Sequence, residues 1–263
     1  ASRLVSRKSC QPRRLQPDPG AACTLPRTAR VQACGGFFMT QPPVFDPRQV
    51  PVEAVDQHLP AVPAQSLLPD ALVQRFASNH TWIPELRGEP RFTQRPPVEA
   101  AVLIPLVERS DGLTVLLTQR TANLSSHSGQ IAFPGGKADP QDAHAQATAL
   151  REAQEEINLD PGLVRVIGNL PVYTTGSAYI VTPVVALVQP VFELKPNPQE
   201  VADVFEVPLA YLMNPANHRR HVVQWEGMRR EWFSMPYTDQ HAERFIWGAT
   251  AGMLRNLYRF LAD

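Results

Sequence analysis

The sequence has little cysteine, no long apolar run and no net charge. Its three cysteines are Cys10, Cys23 and Cys34, and residues 39–263 contain none. This distribution excludes a disulfide framework for the main part of the chain, and the three cysteines do not have metal-ligand spacing. We therefore expect a reducing, cytoplasmic setting.

No apolar segment approaches the roughly 20 residues that a membrane-spanning helix requires. The formal net charge is zero, so the molecule as a whole carries no field that would draw it to nucleic acid or to a membrane. We expect neither as a partner. Oligomeric state does not follow from the sequence, and a homodimer is left open.

Composition divides the chain into three parts. Residues 1–38 carry seven basic side chains against the single acid Asp18 and show no apolar period, which predicts a disordered leader. We expect this leader to be upstream sequence outside the native protein, since the first methionine is Met39; a transit peptide is the alternative, although the segment is not amphipathic. Residues 39–97 form a Pro-rich arm with one predicted helix, Leu67–Ala77, and residues 98–263 form the main domain.

The sequence of the main domain predicts several strands around one acidic helix. The apolar run Ala100–Val107 is typical of a buried strand, and a Ser-Asp-Gly turn joins it to a second strand, Leu113–Thr118. Further strands are predicted at Ile131–Phe133, Val164–Leu170 and Tyr179–Val188, with a final helix at about Ile246–Leu261. This pattern favours a mixed α/β sandwich.

The acidic helix is predicted from Asp139 to Ile157. Asp139 is a suitable N-cap before Pro140, and Asn158 is a suitable left-handed stop. At about 100° per residue, Glu152, Glu155 and Glu156 fall within one quadrant. Their charges repel one another, and a hard divalent cation would relieve this repulsion. A solvated acidic face is the alternative interpretation.

The residues around this helix resemble a known motif. Phe133-Pro134-Gly135-Gly136 predicts a glycine turn before the helix. Together with Asp142 and Arg151-Glu152-Ala153-Gln154-Glu155-Glu156-Ile157, it is similar to the Nudix box. Asp142 stands where the box has Glu, eight residues instead of seven separate it from Arg151, and Asn158 replaces the closing Gly.

The resemblance implies a Nudix-type α/β/α sandwich with a mixed sheet and a metal-dependent pyrophosphate hydrolase. It implies that Glu152, Glu155, Glu156 and the Gly136 carbonyl hold Mg²⁺ or Mn²⁺, and that Arg151 orients a glutamate. Arg151, Glu152 and Glu155 are then the expected catalytic residues. Glu200 is the candidate general base or additional ligand.

The flanking stretch predicts the substrate. Leu116-Leu117-Thr118-Gln119-Arg120, followed by Gly129 and Phe133–Gly136, resembles the signature of coenzyme A pyrophosphatases, with Ser125 where that signature has arginine. The implied substrate is coenzyme A or a derivative, contacted by Arg120, Lys137, Gly135 and Gly136, with His127 as a weaker candidate. Another nucleoside diphosphate derivative is the first alternative. A non-catalytic Nudix-like ligand-binding regulator is the second.

Overall fold

The protein is rich in β-strands, and the predicted apolar segments of the sequence form strands. A computed structural model describes residues 46–78, 80–122, 128–225 and 228–263. Its strands are β1 (Val52–Val55), β2 (Val98–Arg109), β3 (Gly112–Arg120), β4 (Ile131–Ala132), β5 (Gly135–Lys137), β6 (Val164–Asn169), β7 (Tyr173–Thr174), β8 (Tyr179–Val188), β9 (Val201–Pro208), β10 (Arg219–Trp225), β11 (Met228–Thr238) and β12 (Glu243–Trp247). Its α-helices are α1 (Pro69–Ala77), α2 (Ala145–Ile157), α3 (Leu209–Leu212) and α4 (Gly248–Ala262).

The main sheet is mixed. Its strand order is β4-β3-β2-β8-β6, with β5 paired to β2, β7 to β8 and β9 to β3. Strands β2 and β8 run parallel, whereas β2 and β3 form the predicted antiparallel hairpin. A second, antiparallel sheet has the order β1-β10-β11-β12.

Apolar residues on both faces of β2 explain its uninterrupted apolar run. Leu103 and Val107 are buried with the inner face of α2, whereas Ile104 and Leu106 are buried with residues of α1 and α4. A strand covered on both faces has no solvent-facing positions, so its sequence does not alternate. The predicted α/β sandwich with a mixed sheet is confirmed.

The helix of the arm is anchored to the main domain. Leu72 of α1 is fully buried, and Arg75 donates to the carbonyl oxygen of Phe260 in α4. The prediction of a helix at Leu67–Ala77 is confirmed apart from its first two residues. Residues 1–45 lie outside the described residues, so the predicted leader stays a prediction. Among the described helices, none has the length and apolar character needed to cross a bilayer.

Two local predictions were wrong. Helix α2 begins at Ala145 with His144 as N-cap, not at Asp139, because Asp139 and Asp142 form a separate turn in which Asp142 accepts from the Asp139 backbone N–H. The predicted glycine turn is also wrong: Gly135 and Gly136 belong to β5, which pairs with β2. The left-handed stop at Asn158 is confirmed by its φ of 58°.

Candidate active site

A cavity of about 470 Å³ lies beside α2 and β5. Its volume is within the usual range for a small-molecule site. The sequence-predicted residues in its wall are Arg120, Gly135, Gly136, Lys137, Glu152, Glu156 and Glu200. Residues predicted from separate motifs therefore share one cavity.

Helix α2 supplies two of the carboxylates. Glu152 and Glu156 are one turn apart, so they project on the same side of the helix. Their side chains are 15% and 5% exposed. The Ala147 backbone N–H donates to His144 Nδ1 and fixes the start of the helix.

Strand β5 brings backbone against these carboxylates. A Cβ on Gly136 would lie 2.6 Å from the carboxyl carbon of Glu152, so a larger residue here would displace that carboxylate. A Cβ on Gly135 would overlap the β2 backbone at Ala101 and Val102, and Gly135 has a φ of 156°. Because Gly135 can approach so closely, its N–H donates to Glu156 Oε2 at 3.2 Å.

Arg151 organises the other side of the helix. Its Nη1 donates to Glu152 Oε1 at 3.0 Å and to Glu155 Oε2 at 3.1 Å. Its Nε and Nη2 contact the carboxylate of Asp142 at 3.0 and 2.9 Å, and Nη2 also donates to the Lys137 carbonyl oxygen. A planar guanidinium with two fixed contacts orients the glutamate that it binds.

Burial and mutual repulsion perturb the carboxylates in the cavity. Burial raises the pKa of Glu156 to about 7, and the negative charges of Glu200 and Glu152 add to the rise, although the Gly135 N–H and Arg120 oppose it. Burial also raises the pKa of Glu152, against the opposing effect of Arg151. Outside the cavity wall, the hydrogen bonds from Arg151 lower the pKa of Asp142.

Arg120 and Lys137 are cationic side chains of the cavity wall. Arg120 Nη1 lies 3.7 Å from Glu156 Oε1, and the Arg120 Nε is buried without a hydrogen-bond partner among the described residues. Lys137 is exposed at the edge of the cavity. Both are positioned to contact an anionic ligand.

The remaining residues that the sequence singled out are Glu155, Glu200, Ser125 and His127. Glu155 has a side chain that is 60% exposed and contacts Arg151. Glu200 lies just before β9, and its carbonyl oxygen accepts from the Thr121 N–H. Ser125 and His127 lie outside the described residues.

Sequence analysis did not assign every residue of the wall to the site. Tyr179 and Trp247 line the cavity and had been given no role in the site. Glu89 and Arg230 come from the arm and from β11, and no motif marked them.

The donor set suits a hard divalent cation. Glu152, Glu156 and Glu200 supply carboxylate oxygens, which Mg²⁺ and Mn²⁺ prefer, and their repulsion would fall when a cation is bound. In the positions shown, no three His, Cys, Asp or Glu side chains of the described ranges converge as a metal cluster. The carboxylates that share the cavity therefore fit a metal by their chemistry.

Comparison with known proteins identifies one family for the part of the chain that contains these residues. The family model described as "NUDIX domain" matches residues 97–230. The chain is 43% identical to "Uncharacterized Nudix hydrolase NudL" of Photorhabdus laumondii over 158 residues, which are 60% of this chain and 82% of the relative. It is 44% identical to the protein of the same name from Escherichia coli K12 over 161 residues, 60% and 80% of the two chains. Among solved structures, the Ap4A hydrolase binary complex of C. elegans is 22% identical with a TM-score of 0.37, covering 45% of this chain and 85% of that one.

Proposed function

This chain belongs to the Nudix family and is a Nudix hydrolase, and on that premise we propose that it hydrolyses the pyrophosphate bond of coenzyme A or its derivatives. The products are 4′-phosphopantetheine and adenosine 3′,5′-bisphosphate, formed by the addition of one water across the P–O–P linkage. We propose Mg²⁺ or Mn²⁺ as the cofactor.

One observation carries the reaction type. Glu152, Glu156 and Glu200 line the same cavity as Arg120 and Lys137, so acids and cations face one another across it. Such an arrangement suits a ligand that brings both phosphates and metal ions. When bound, a divalent cation would neutralise phosphate charge and activate water.

The residues of this chain then have separate tasks. Glu152 and Glu156 would hold the metal, and Arg151 fixes the rotamer of Glu152 through its contact at 3.0 Å. Lys137 and Arg120 would bind phosphate oxygens of the substrate, in the pyrophosphate or in the 3′-phosphate. Glu200 also lines the cavity and is the candidate general base that would accept a proton from water. Glu155 contacts Arg151 and would complete the shell of a second ion.

The assignment of coenzyme A as the substrate rests on a stretch of sequence that is shorter than the part of the chain matched to the family. Arg120 ends β3, Phe133 follows β4, and Gly135 and Gly136 lie in β5, so four residues of the motif that resembles coenzyme A pyrophosphatases line the cavity. Apolar residues of the wall, Val102, Phe133 and Met253, offer surface for the uncharged parts of the substrate.

A substrate screen tests the proposal. The purified protein would be incubated with coenzyme A, acetyl-coenzyme A, NADH, ADP-ribose and a nucleotide sugar, with Mg²⁺, Mn²⁺ or excess EDTA, and products separated by chromatography. We expect the highest kcat/KM on a coenzyme A compound and no turnover with EDTA. A preference for another compound would retain the pyrophosphatase and reject coenzyme A. Binding without turnover of any compound would favour a ligand-binding regulator.

A further inference from the structure

The cavity contains another acid, Glu89, that the proposed reaction does not use. Glu89 lies in the segment before β2, and its side chain is 12% exposed. Its backbone is held in place, because its N–H donates to the Thr174 carbonyl oxygen at 2.8 Å. The preceding Gly88 passes so close to Thr174 that a Cβ would overlap that backbone. The position of Glu89 is thus fixed before any ligand binds.

The two carboxylate oxygens of Glu89 have different surroundings. Oε2 accepts from the Gly176 N–H at 3.3 Å and from Arg230 Nη2 at 3.5 Å. Oε1 accepts no hydrogen bond from the residues that the structure describes, and it lies 3.7 Å from the position that a Cβ on Gly248 would take. One oxygen is therefore anchored, and the other is available in a cavity that is large enough for a ligand.

The chemistry of a carboxylate limits what it can bind there. An ionised carboxylate only accepts hydrogen bonds, and it repels a phosphate. Phosphates are better placed near Lys137 and Arg120. We propose that Glu89 determines substrate specificity by accepting a hydrogen bond from an uncharged hydroxyl or N–H group of the substrate, in a part distinct from the pyrophosphate. Arg230 and Gly176 are its positioning residues.

This inference rests on the function proposed above and deepens it. Coenzyme A has such donors in both halves: the adenine amino group and a ribose hydroxyl in one, and the amide N–H and hydroxyl groups of the pantetheine arm in the other. The shared chemistry is a neutral donor, and the test separates the two sources.

Glu89→Gln tests the proposal without changing the size of the side chain. In this variant the amide oxygen is the group that can accept from Arg230 and the Gly176 N–H, so the amide NH₂ takes the place of Oε1. A substrate donor would then face another donor. We expect the KM for coenzyme A to rise about tenfold and kcat to stay within about twofold, since the contact is lost equally in ground and transition states. Glu193→Gln is the matched control, because the Glu193 side chain is 83% exposed.

Product inhibition identifies the donor. The inhibition constants of adenosine 3′,5′-bisphosphate and of 4′-phosphopantetheine would be measured for the wild type and Glu89→Gln, and we expect only one to weaken. An unchanged KM would overturn the proposal, and a lowered KM would show that Glu89 merely repels the substrate. If melting shows that Glu89→Gln is unfolded, Glu89→Asp must give the same direction of change. Failure of the wild type to cleave coenzyme A would instead reject the proposed function.

Discussion

Arg151 and Asp142 form a two-point ion pair in which Nε and Nη2 of the arginine lie 3.0 and 2.9 Å from the two carboxylate oxygens of the aspartate. The pair joins α2 to the turn that precedes it. Through its remaining nitrogen, Arg151 contacts Glu152 and Glu155. Asp142 is thus linked through Arg151 to a carboxylate of the cavity, Glu152, which makes it a positioning residue.

Replacing Asp142 with Asn should lower kcat about tenfold and leave KM nearly unchanged, as is usual when a residue that orients a metal ligand is lost. The Asn side chain has one acceptor oxygen and cannot form the two-point ion pair. Asp142→Glu should recover most of the activity, because it restores a carboxylate. Asp111→Asn, in the exposed hairpin turn, is the control. A purely structural role would instead lower the melting temperature without this recovery.

Gly136→Ala should reduce activity much more than stability. The new Cβ would lie 2.6 Å from the Glu152 carboxyl carbon and displace it, whereas Gly136 does not have the left-handed backbone that strains alanine. Loss of one positioned ligand should lower kcat by a factor on the order of 10² or more. Gly135→Ala is the matched comparison, and it should lower the melting temperature because its Cβ meets β2 backbone. Equal losses of stability in the two variants would contradict this distinction.

Glu156 should make stability depend on pH in the metal-free protein. Its folded-state pKa of about 7 is above its ordinary value of 4.5. Between these two values the folded chain keeps a proton that the unfolded chain has lost, so the free energy of unfolding falls as the pH rises. The loss is complete above pH 7 and amounts to on the order of 3 kcal/mol.

Glu156→Gln removes this titration, so the metal-free variant should melt at a higher temperature than the wild type at pH 8 and at a similar temperature near pH 4.5. Mg²⁺ should stabilise the wild type at pH 8 and have little effect on the variant. The variant should also lose kcat by a factor on the order of 10³. Parallel melting curves across this pH range would show that Glu156 is not the responsible group.

The local sequence predicted the buried strands and the end of α2. The features that it did not predict depend on contacts between residues that are distant in the sequence. The start of α2 was misplaced because Asp139, the predicted N-cap, lies in a separate turn with Asp142, whose carboxylate contacts Arg151 nine residues away. Strand β9 was not assigned, since Asp203 and Glu206 interrupt its apolar pattern and its pairing with β3 joins distant segments.

The residues of the site also differ in whether the sequence alone could predict that they lie together. Glu152 and Glu156 share a helix, so their spacing alone predicted that they would lie together. Glu89 and Arg230 lie 141 residues apart in the sequence and meet only in the folded protein. Their place in the cavity could not be predicted without knowing how the arm and the second sheet pack.

The 3′-phosphate of coenzyme A should lie near Arg120 or Lys137, because Glu89 would repel it elsewhere in the cavity. Dephospho-coenzyme A should then have a kcat/KM lower by roughly ten- to a hundredfold, the loss expected for one desolvated charge-assisted contact. If Arg120 makes the contact, Arg120→Ala should reduce the ratio of kcat/KM for coenzyme A to kcat/KM for dephospho-coenzyme A. Because Arg120 also lies 3.7 Å from Glu156, the variant will affect both substrates, so the ratio is the informative measurement. Lys137→Ala is the matched variant, and a narrower ratio there alone would assign the contact to Lys137. Equal kcat/KM values for the two compounds in the wild type would show that no residue of the cavity recognises the 3′-phosphate.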